Sequence, residues 1–285
     1  MPSKSPLIFF CKNFKAMPVD ELIETAHRLG FEGYDLPCRP GMTITPQNVG
    51  TALPDAVKRM HAAGLVVPMV SGTGNLVEPT DPTALPILRA MQESGIGFLK
   101  LGYYMIDNAK EDYWQKVDYI RRQFEGWAAL GEKHGVKICY HTHSQPRCMG
   151  LSAGAVMHLV QGFDPRWIGV YLDPAHLMQD GEHPDIAVNM TKKYLSLIGI
   201  KDSRKIPSPI GKGWYYMFTK GGCGDVDWAR VFELLKRVNY QGPLSIHGEY
   251  EDHYPTNKEG KQPEYMESLK EEFAYFRKLR DAQGM

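Results

Sequence analysis

Short apolar runs alternate along this chain with longer stretches in which apolar residues return every third or fourth position. Leu7 to Cys11 is such a run, and Pro18 then opens a stretch in which Val19, Leu22, Ile23, Ala26 and Leu29 recur at helical spacing until Gly30. The order repeats. Gly33 to Leu36 predicts a second strand and Pro54 to Ala63 a helix stopped by Gly64, while Leu65 to Val70 predicts a third strand with its helix from about Thr83 to Ser94. Phe98 to Leu101 predicts a fourth strand. The helix after it is the longest, with Trp114, Val117, Ile120, Phe124, Trp127 and Leu130 in step until His134 and Gly135. Val136 to Tyr140, Ile168 to Leu172, Leu195 to Ile200 and Leu244 to His247 predict strands five to eight. A helix is expected around Ala153 to Val160, and a last one has Met266, Leu269, Phe273 and Phe276 on one face. Eight strand–helix repeats predict an α/β fold, a (β/α)8 TIM barrel, as a single domain over residues 1–285.

In such a barrel, chemistry collects where the strands end. In WIGVYLDPAH an apolar run ends abruptly in Asp173, Pro174 and His176; in CYHTHS the fifth strand ends in His141 and His143, and in LSIHGE the eighth ends in His247 and Glu249. Residues two apart share a face of a strand. Taken alone, His141 and His143 are as well explained as hydrogen-bonded barrel-lining residues, but convergence with Asp173, His176 and Glu249 favours a site. His27, His61 and His134 each stand just before a helix-ending glycine, where an imidazole caps carbonyls, and are expected to be structural; His158 and His183 are expected to be solvated.

Imidazoles and carboxylates from several strands suit a divalent ion, Mn²⁺, Zn²⁺, Co²⁺ or Mg²⁺, that polarises a sugar carbonyl and acidifies the neighbouring C–H. A carboxylate or imidazole could then move the proton, giving isomerisation or epimerisation; expulsion of a β-substituent gives dehydration or elimination instead. Arg39 after strand two suits an anionic or hydroxylated substrate, Tyr103 follows strand four, and Lys201 at the end of strand seven suits an electrophile or phosphate anchor, although with Asp202 it makes an equally good salt bridge. The long connection from Asp202 to Asp225 carries Trp214, Tyr215, Tyr216 and Phe218, as expected of a lid stacking on a sugar ring; an oligomer contact explains the same aromatics, so a homo-oligomer stays open. The GTGN run from Gly72 to Asn75 is too short for a phosphate loop.

Thirty-three basic and thirty-three acidic residues leave no net charge, so no nucleic-acid partner is expected. The N-terminal apolar run is too short for a signal core or a membrane span, and no membrane partner is expected. Cys11, Cys38, Cys139, Cys148 and Cys223 are scattered and never in CxxC spacing, which predicts reduced thiols, no thiolate metal site and a cytoplasmic protein.

VKICYHTHS, IGVYLDPAH, LIGIKDS and GPLSIHGEYE, in this order, resemble strands five to eight of the xylose-isomerase-like barrels, the sugar phosphate isomerase/epimerase superfamily; GFEGYDLPCRPG and FLKLGYYM resemble its strands two and four. The resemblance implies a divalent metal held by Glu, Asp, His and Glu at the ends of strands five to eight, with the His of a D-x-x-H element on substrate. Asp173 and His176 match that element. Where the family's strand-five Glu is expected this chain has His141-Thr142-His143, and where strand seven supplies a His it has Gly199; at strand eight the acid corresponds to His247 or Glu249 according to register. The expected metal set is therefore His141, Asp173, His247 and Glu249; the expected catalytic residues are His143, Glu249 and Lys201; His176, Arg39, Tyr103 and Trp214 are expected on substrate. The expected activity is metal-assisted isomerisation or epimerisation of a sugar or keto-sugar. A lyase on a keto-sugar or keto-glycoside, or a non-catalytic sugar-binding barrel, is the alternative; a repair nuclease of the same superfamily is disfavoured by the neutral charge and Gly199.

Overall fold

The computed structural model describes residues 5–251 and 263–285. Its eight barrel strands are β1 (Leu7–Phe10), β2 (Gly33–Pro37), β3 (Val66–Ser71), β4 (Phe98–Lys100), β5 (Lys137–His141), β6 (Ile168–Leu172), β7 (Leu195–Ile200) and, after a hairpin of β8 (Asp202–Pro207) and β9 (Trp214–Thr219), β10 (Leu244–Ile246). They close in the order β1-β10-β7-β6-β5-β4-β3-β2, every neighbour parallel. The helices are α1 (Val19–Leu29), α2 (Val49–Ala62), α3 (Ala84–Ser94), α4 (Tyr113–His134), α5 (Ala153–Val160), α6 (Pro174–Gln179), α7 (Pro184–Thr191), α8 (Trp228–Arg237) and α9 (Pro263–Ala282). Among the described residues no helix is long and apolar enough to cross a membrane.

The strand alternation divides the core in two. Leu7, Phe9, Tyr34, Val70, Leu99, Ile138, Val170 and Ile198 belong to the large cluster between strands and helices, whereas Ile8, Met69, Cys139, Tyr171 and Leu197, on the opposite strand face, fill the barrel interior. These side chains pack the interior below the C-terminal mouth.

Two expectations are corrected. The second helix begins at Val49 rather than Pro54, because Val49 and Leu53 bury fully beside Ala56, Val57 and Met60, and that burial outweighs the backbone bond Pro54 cannot make. The connection from Asp202 to Asp225 is not a plain loop but carries a β-hairpin, paired antiparallel from Asp202 with Thr219 to Pro207 with Trp214. Asp202 is fully buried and fixes its base, accepting hydrogen bonds from the backbone N–H groups of Ser203, Gly222, Gly224 and Val226.

A second buried acid ties the hairpin to α9. Glu272 accepts hydrogen bonds from the Tyr250 hydroxyl and the Gly221 N–H, and burial raises its pKa to about 8. An acid whose pKa rises on folding binds protons more tightly in the folded state, so its contribution is complete below the unfolded value near 4.5 and is lost as pH climbs through about 8. Thermal unfolding between pH 6 and pH 9 should therefore show a declining Tm, and Glu272→Gln should flatten that decline; an unchanged pH slope in the variant contradicts the assignment.

Candidate active site

The strand ends bring His141, His143, Asp173, His176, Lys201, His247 and Glu249 to one mouth. A cavity of about 170 Å³ opens there, lined by Phe10, Lys12, Arg39, Ser71, Gly74, Lys100, Tyr103, His141, His143, Tyr171, Lys201, His247 and Glu249. That is room for about six waters, or one small ligand.

Asp173 follows β6 directly and caps α6: its Oδ1 accepts from the N–H groups of Ala175 and His176 at 3.1 and 3.2 Å, with Pro174 in the first helical turn, where a missing N–H costs nothing. Its other oxygen therefore turns to the mouth, 3.4 Å from His141 Nε2, 3.5 Å from Lys201 Nζ and 3.9 Å from His176 Nε2. Gly199 makes this fit, since a Cβ there would lie 3.0 Å from Asp173 Oδ2.

Lys201 is the centre of the arrangement. Its Nζ donates to His176 Nε2 at 2.6 Å and to Glu249 Oε2 at 3.3 Å, and lies 4.8 Å from the centre of the Phe218 ring. Burial disfavours the ammonium, but Asp173 and Glu249 more than compensate and the pKa is raised. Glu249 is claimed from its other side by Lys12; burial pushes its pKa up, Lys12 and Lys201 pull it down, and the net position is well below the ordinary carboxylate range. Asp173 follows the same logic: burial raises it, Lys201 and His176 lower it, and lowering wins. The centre thus holds two ammonium groups and two carboxylates.

The imidazoles are neutral. Burial lowers the pKa of His141, His176 and His247 well below the usual range, with neighbouring cations adding to it, and brings His143 to about 3. With Nε2 accepting from Lys201, His176 carries its proton on Nδ1 and donates to Ser144 Oγ at 2.7 Å; Ser144 in turn donates to Gln179. His143 lies against His176, ring centres 4.1 Å apart, and against Tyr103 at 4.6 Å; its Nδ1 has no hydrogen-bond partner. His141 Nδ1 pairs with the Tyr103 hydroxyl at 2.9 Å, and His247 Nε2 with that of Tyr171 at 2.8 Å.

The donor set fits a divalent ion at one pair. His141 Nε2 and Asp173 Oδ2 are buried, lack hydrogen-bond partners and stand 3.4 Å apart, and an Nδ1–H bond from His141 to Tyr103 gives the tautomer a metal ligand requires. The other two expected ligands are engaged, Glu249 by Lys12 and Lys201 and His247 by Tyr171. Among the described residues no group of three or more His, Cys, Asp or Glu side chains is drawn together as a metal site.

Arg39 and Tyr103 line the cavity. Trp214 does not: it is 63% exposed at the hairpin tip, beneath Lys205, and Phe218 takes the inward place from the same strand. The cavity also uses Phe10, Lys12, Ser71, Gly74, Lys100 and Tyr171, which the sequence patterns did not single out as site residues. Lys12 and Lys100 had the same signal as Lys201, a lysine at or just beyond a strand end. The remaining histidines are peripheral: His27 Nε2 meets the Ala63 carbonyl rather than its own helix, His134 Nδ1 meets Gln92, and exposed His158 meets Tyr113. All five cysteines are free, four of them buried; burial pushes the Cys38 and Cys139 thiols up to about 12, which makes them inert.

Comparison with known proteins agrees with the barrel fold. Inosose dehydratase of Clostridium botulinum is 31% identical over 136 residues, 42% of this chain and 43% of the relative; an uncharacterized protein YfiH of Bacillus subtilis is 28% identical over 96 residues, 28% and 30% of the two chains. The chain thus spans less than half the length of these curated relatives. Among solved structures, the IolI protein with a bound zinc atom superposes with a TM-score of 0.74 at 12% identity, covering 98% of this chain and 99% of that one. The 3-keto-D-glucoside 4-epimerase YcjR of E. coli superposes with a TM-score of 0.71 at 14% identity over 96% and 99%. The xylose isomerase-like TIM barrel family matches residues 23–278, nearly the whole barrel from α1 to α9, and the chain belongs to that family.

Proposed function

We propose that this protein is an isomerase or epimerase of a sugar or keto-sugar, working by proton transfer next to a carbonyl. The observation that carries this reading is the buried Lys201 ammonium, fixed beside unprotonated imidazoles in a cavity of monosaccharide scale. A substrate carbonyl oxygen directed at Lys201 gains a cation that burial keeps from being screened, and negative charge developing on that oxygen as the α-proton leaves is stabilised. His143, neutral, lying against His176 and with its Nδ1 unbonded, is the base; Asp173 and Glu249 favour the imidazolium that forms as it takes the α-proton. Glu249 is too strongly held by two ammonium groups to compete as a base, and its work is to keep Lys12 and Lys201 charged and in place. His176 transmits the position of Ser144 to Lys201, and Tyr103 orients His141.

A divalent ion, when bound, would be held by His141 and Asp173, with His247 and Glu249 as the nearby further donors, and would polarise substrate oxygens. The second reading, a lyase, draws on the inosose dehydratase relatives: after the same proton removal, loss of a hydroxyl β to the carbonyl gives dehydration. The substrate is a small carbohydrate in either case. The unbonded cysteines support a cytoplasmic setting, and the zero net charge supports the absence of a nucleic-acid partner. No membrane partner is proposed either, and the exposed Trp214 and Tyr215 leave a homo-oligomer contact open.

In heavy water, a keto-sugar substrate should exchange one carbon-bound proton for deuterium before or together with product formation. His143→Ala should slow exchange and turnover by about a hundredfold or more, the usual scale for a lost acid or base. Normal turnover in that variant removes His143 from the reaction, and appearance of a dehydrated product would select the lyase.

After incubation with Mn²⁺, Co²⁺ or Zn²⁺ and desalting, the protein should retain up to one ion per chain by elemental analysis. His141→Ala and Asp173→Asn should each abolish retention; the amide oxygen of Asn keeps the cap on the Ala175 and His176 N–H groups, so the loss reports on the ion rather than on α6. Equal retention in the variants would exclude the pair as ligands.

A further inference from the structure

The charges around the cavity do not balance on its β2–β4 side. Lys12 and Lys201 are each paired with Glu249, and Lys201 with Asp173 as well. Among the described residues Arg39 and Lys100 have no such partner. Arg39 spends its Nε on the Gly72 carbonyl at 2.9 Å and holds its guanidinium 5.1 Å from the Phe10 ring centre. Lys100 ends β4 with its side chain 2% exposed, its Nζ 3.9 Å from the Tyr103 ring centre and without any hydrogen-bond partner. Among the described residues no ion pair within 4.0 Å joins either residue to a carboxylate. Asp35, fully buried on β2, accepts from Ser245 at 3.1 Å, leaves its Oδ1 unbonded and is the acid among the described residues that acts on both cations.

A buried amine with no acceptor, lining a cavity, is costly unless a ligand supplies the acceptor. Among the described residues, Arg39 and Lys100 on this wall face Asp35 alone, so the wall lacks one negative charge whenever Lys100 is protonated. In the empty cavity the protein answers by burial and by the proximity of Arg39 and Lys12, which hold Lys100 well below the ordinary ammonium range. An oxyanion against Lys100 and Arg39 removes the deficit and gives both groups a charge-assisted hydrogen bond.

We infer that the substrate of this site carries a compact oxyanion, a carboxylate or a phosphate, seated between Lys100 and Arg39 across the cavity from Lys201. This rests on the keto-sugar reading for the reacting end of the molecule, but the anion seat stands on its own observations. The substrate class is then an acidic keto-sugar rather than a neutral one, and the two cation pairs divide the work: Arg39 and Lys100 bind the anionic group, and Lys201 meets the carbonyl.

Titration calorimetry with two small anions, glycolate and inorganic phosphate, tests the seat without any sugar. The wild-type protein should bind at least one of them, and the tighter of the two identifies the oxyanion. Lys100→Met and Arg39→Gln should each weaken binding by about tenfold or more, the scale of one hydrogen bond to a charged group. Should Lys100→Met fail to fold, Arg39→Gln, a half-buried position, carries the same test. Binding of neither anion, or equal binding in wild type and Arg39→Gln, overturns the inference. In a second arm 2-keto-D-gluconate is compared with D-fructose: tighter binding of the acid supports the inference, and tighter or equal binding of D-fructose overturns it. Small anions that bind where neither sugar does would uphold the anion seat and count against the keto-sugar reading.

Discussion

The mouth of this barrel depends on one buried cation. Lys201 Nζ, at the end of β7, sits within 3.5 Å of His176 and Asp173 beyond β6 and of Glu249 beyond β10, and draws the two strand ends together. An ammonium in such surroundings is stable only because both carboxylates face it, and the carboxylates stay ionised only because it and Lys12 face them. Removing one partner of such a set leaves the others buried and uncompensated, so the cluster behaves as a unit. It also sets the imidazoles: beside a fixed ammonium and out of water, they remain neutral.

The backbone prepares these positions before any side chain acts. Parallel strands of a closed barrel end at one level, so residues at or just beyond the ends of β5, β6, β7 and β10 converge without any contact between neighbours in sequence. Asp173 shows the economy of this: one oxygen caps α6 and thereby aims the other at His141 and Lys201. Gly199 belongs to the same device, because any side chain there would crowd that oxygen. Where the family resemblance implies a metal-binding histidine, this chain leaves room for Asp173 and brings in a lysine two residues later.

Most of the barrel was legible because its strands are continuous apolar runs and its helices carry a clear apolar face. Helix α2 was cut short by the weight given to Pro54, a local signal that the burial of Val49 and Leu53 overrides. The hairpin escaped because glycine and proline around an aromatic run read as a loop, and antiparallel pairing between Asp202 and Thr219 spans too many residues to show in local pattern. Trp214 was misplaced for a related reason. It shares a strand face with Phe218, but four residues along an extended strand is about 13 Å, enough to carry it from the mouth to solvent. The His and Asp positions were visible as strand-end residues; Lys12 and Lys100 were passed over because a lone lysine after a strand is common, and only the closed barrel shows which of them face each other.

The protonation of Lys201 is the point on which the account turns, and NMR of side-chain-labelled lysine, assigned with Lys201→Met, measures it directly. The account predicts one lysine resonance, absent in the variant, that stays in the ammonium form to a pH above the ordinary lysine range. A Lys201 that loses its proton below the solvent-exposed lysines would contradict the account, since the carboxylates would then have no cation to hold and the carbonyl no charge to meet.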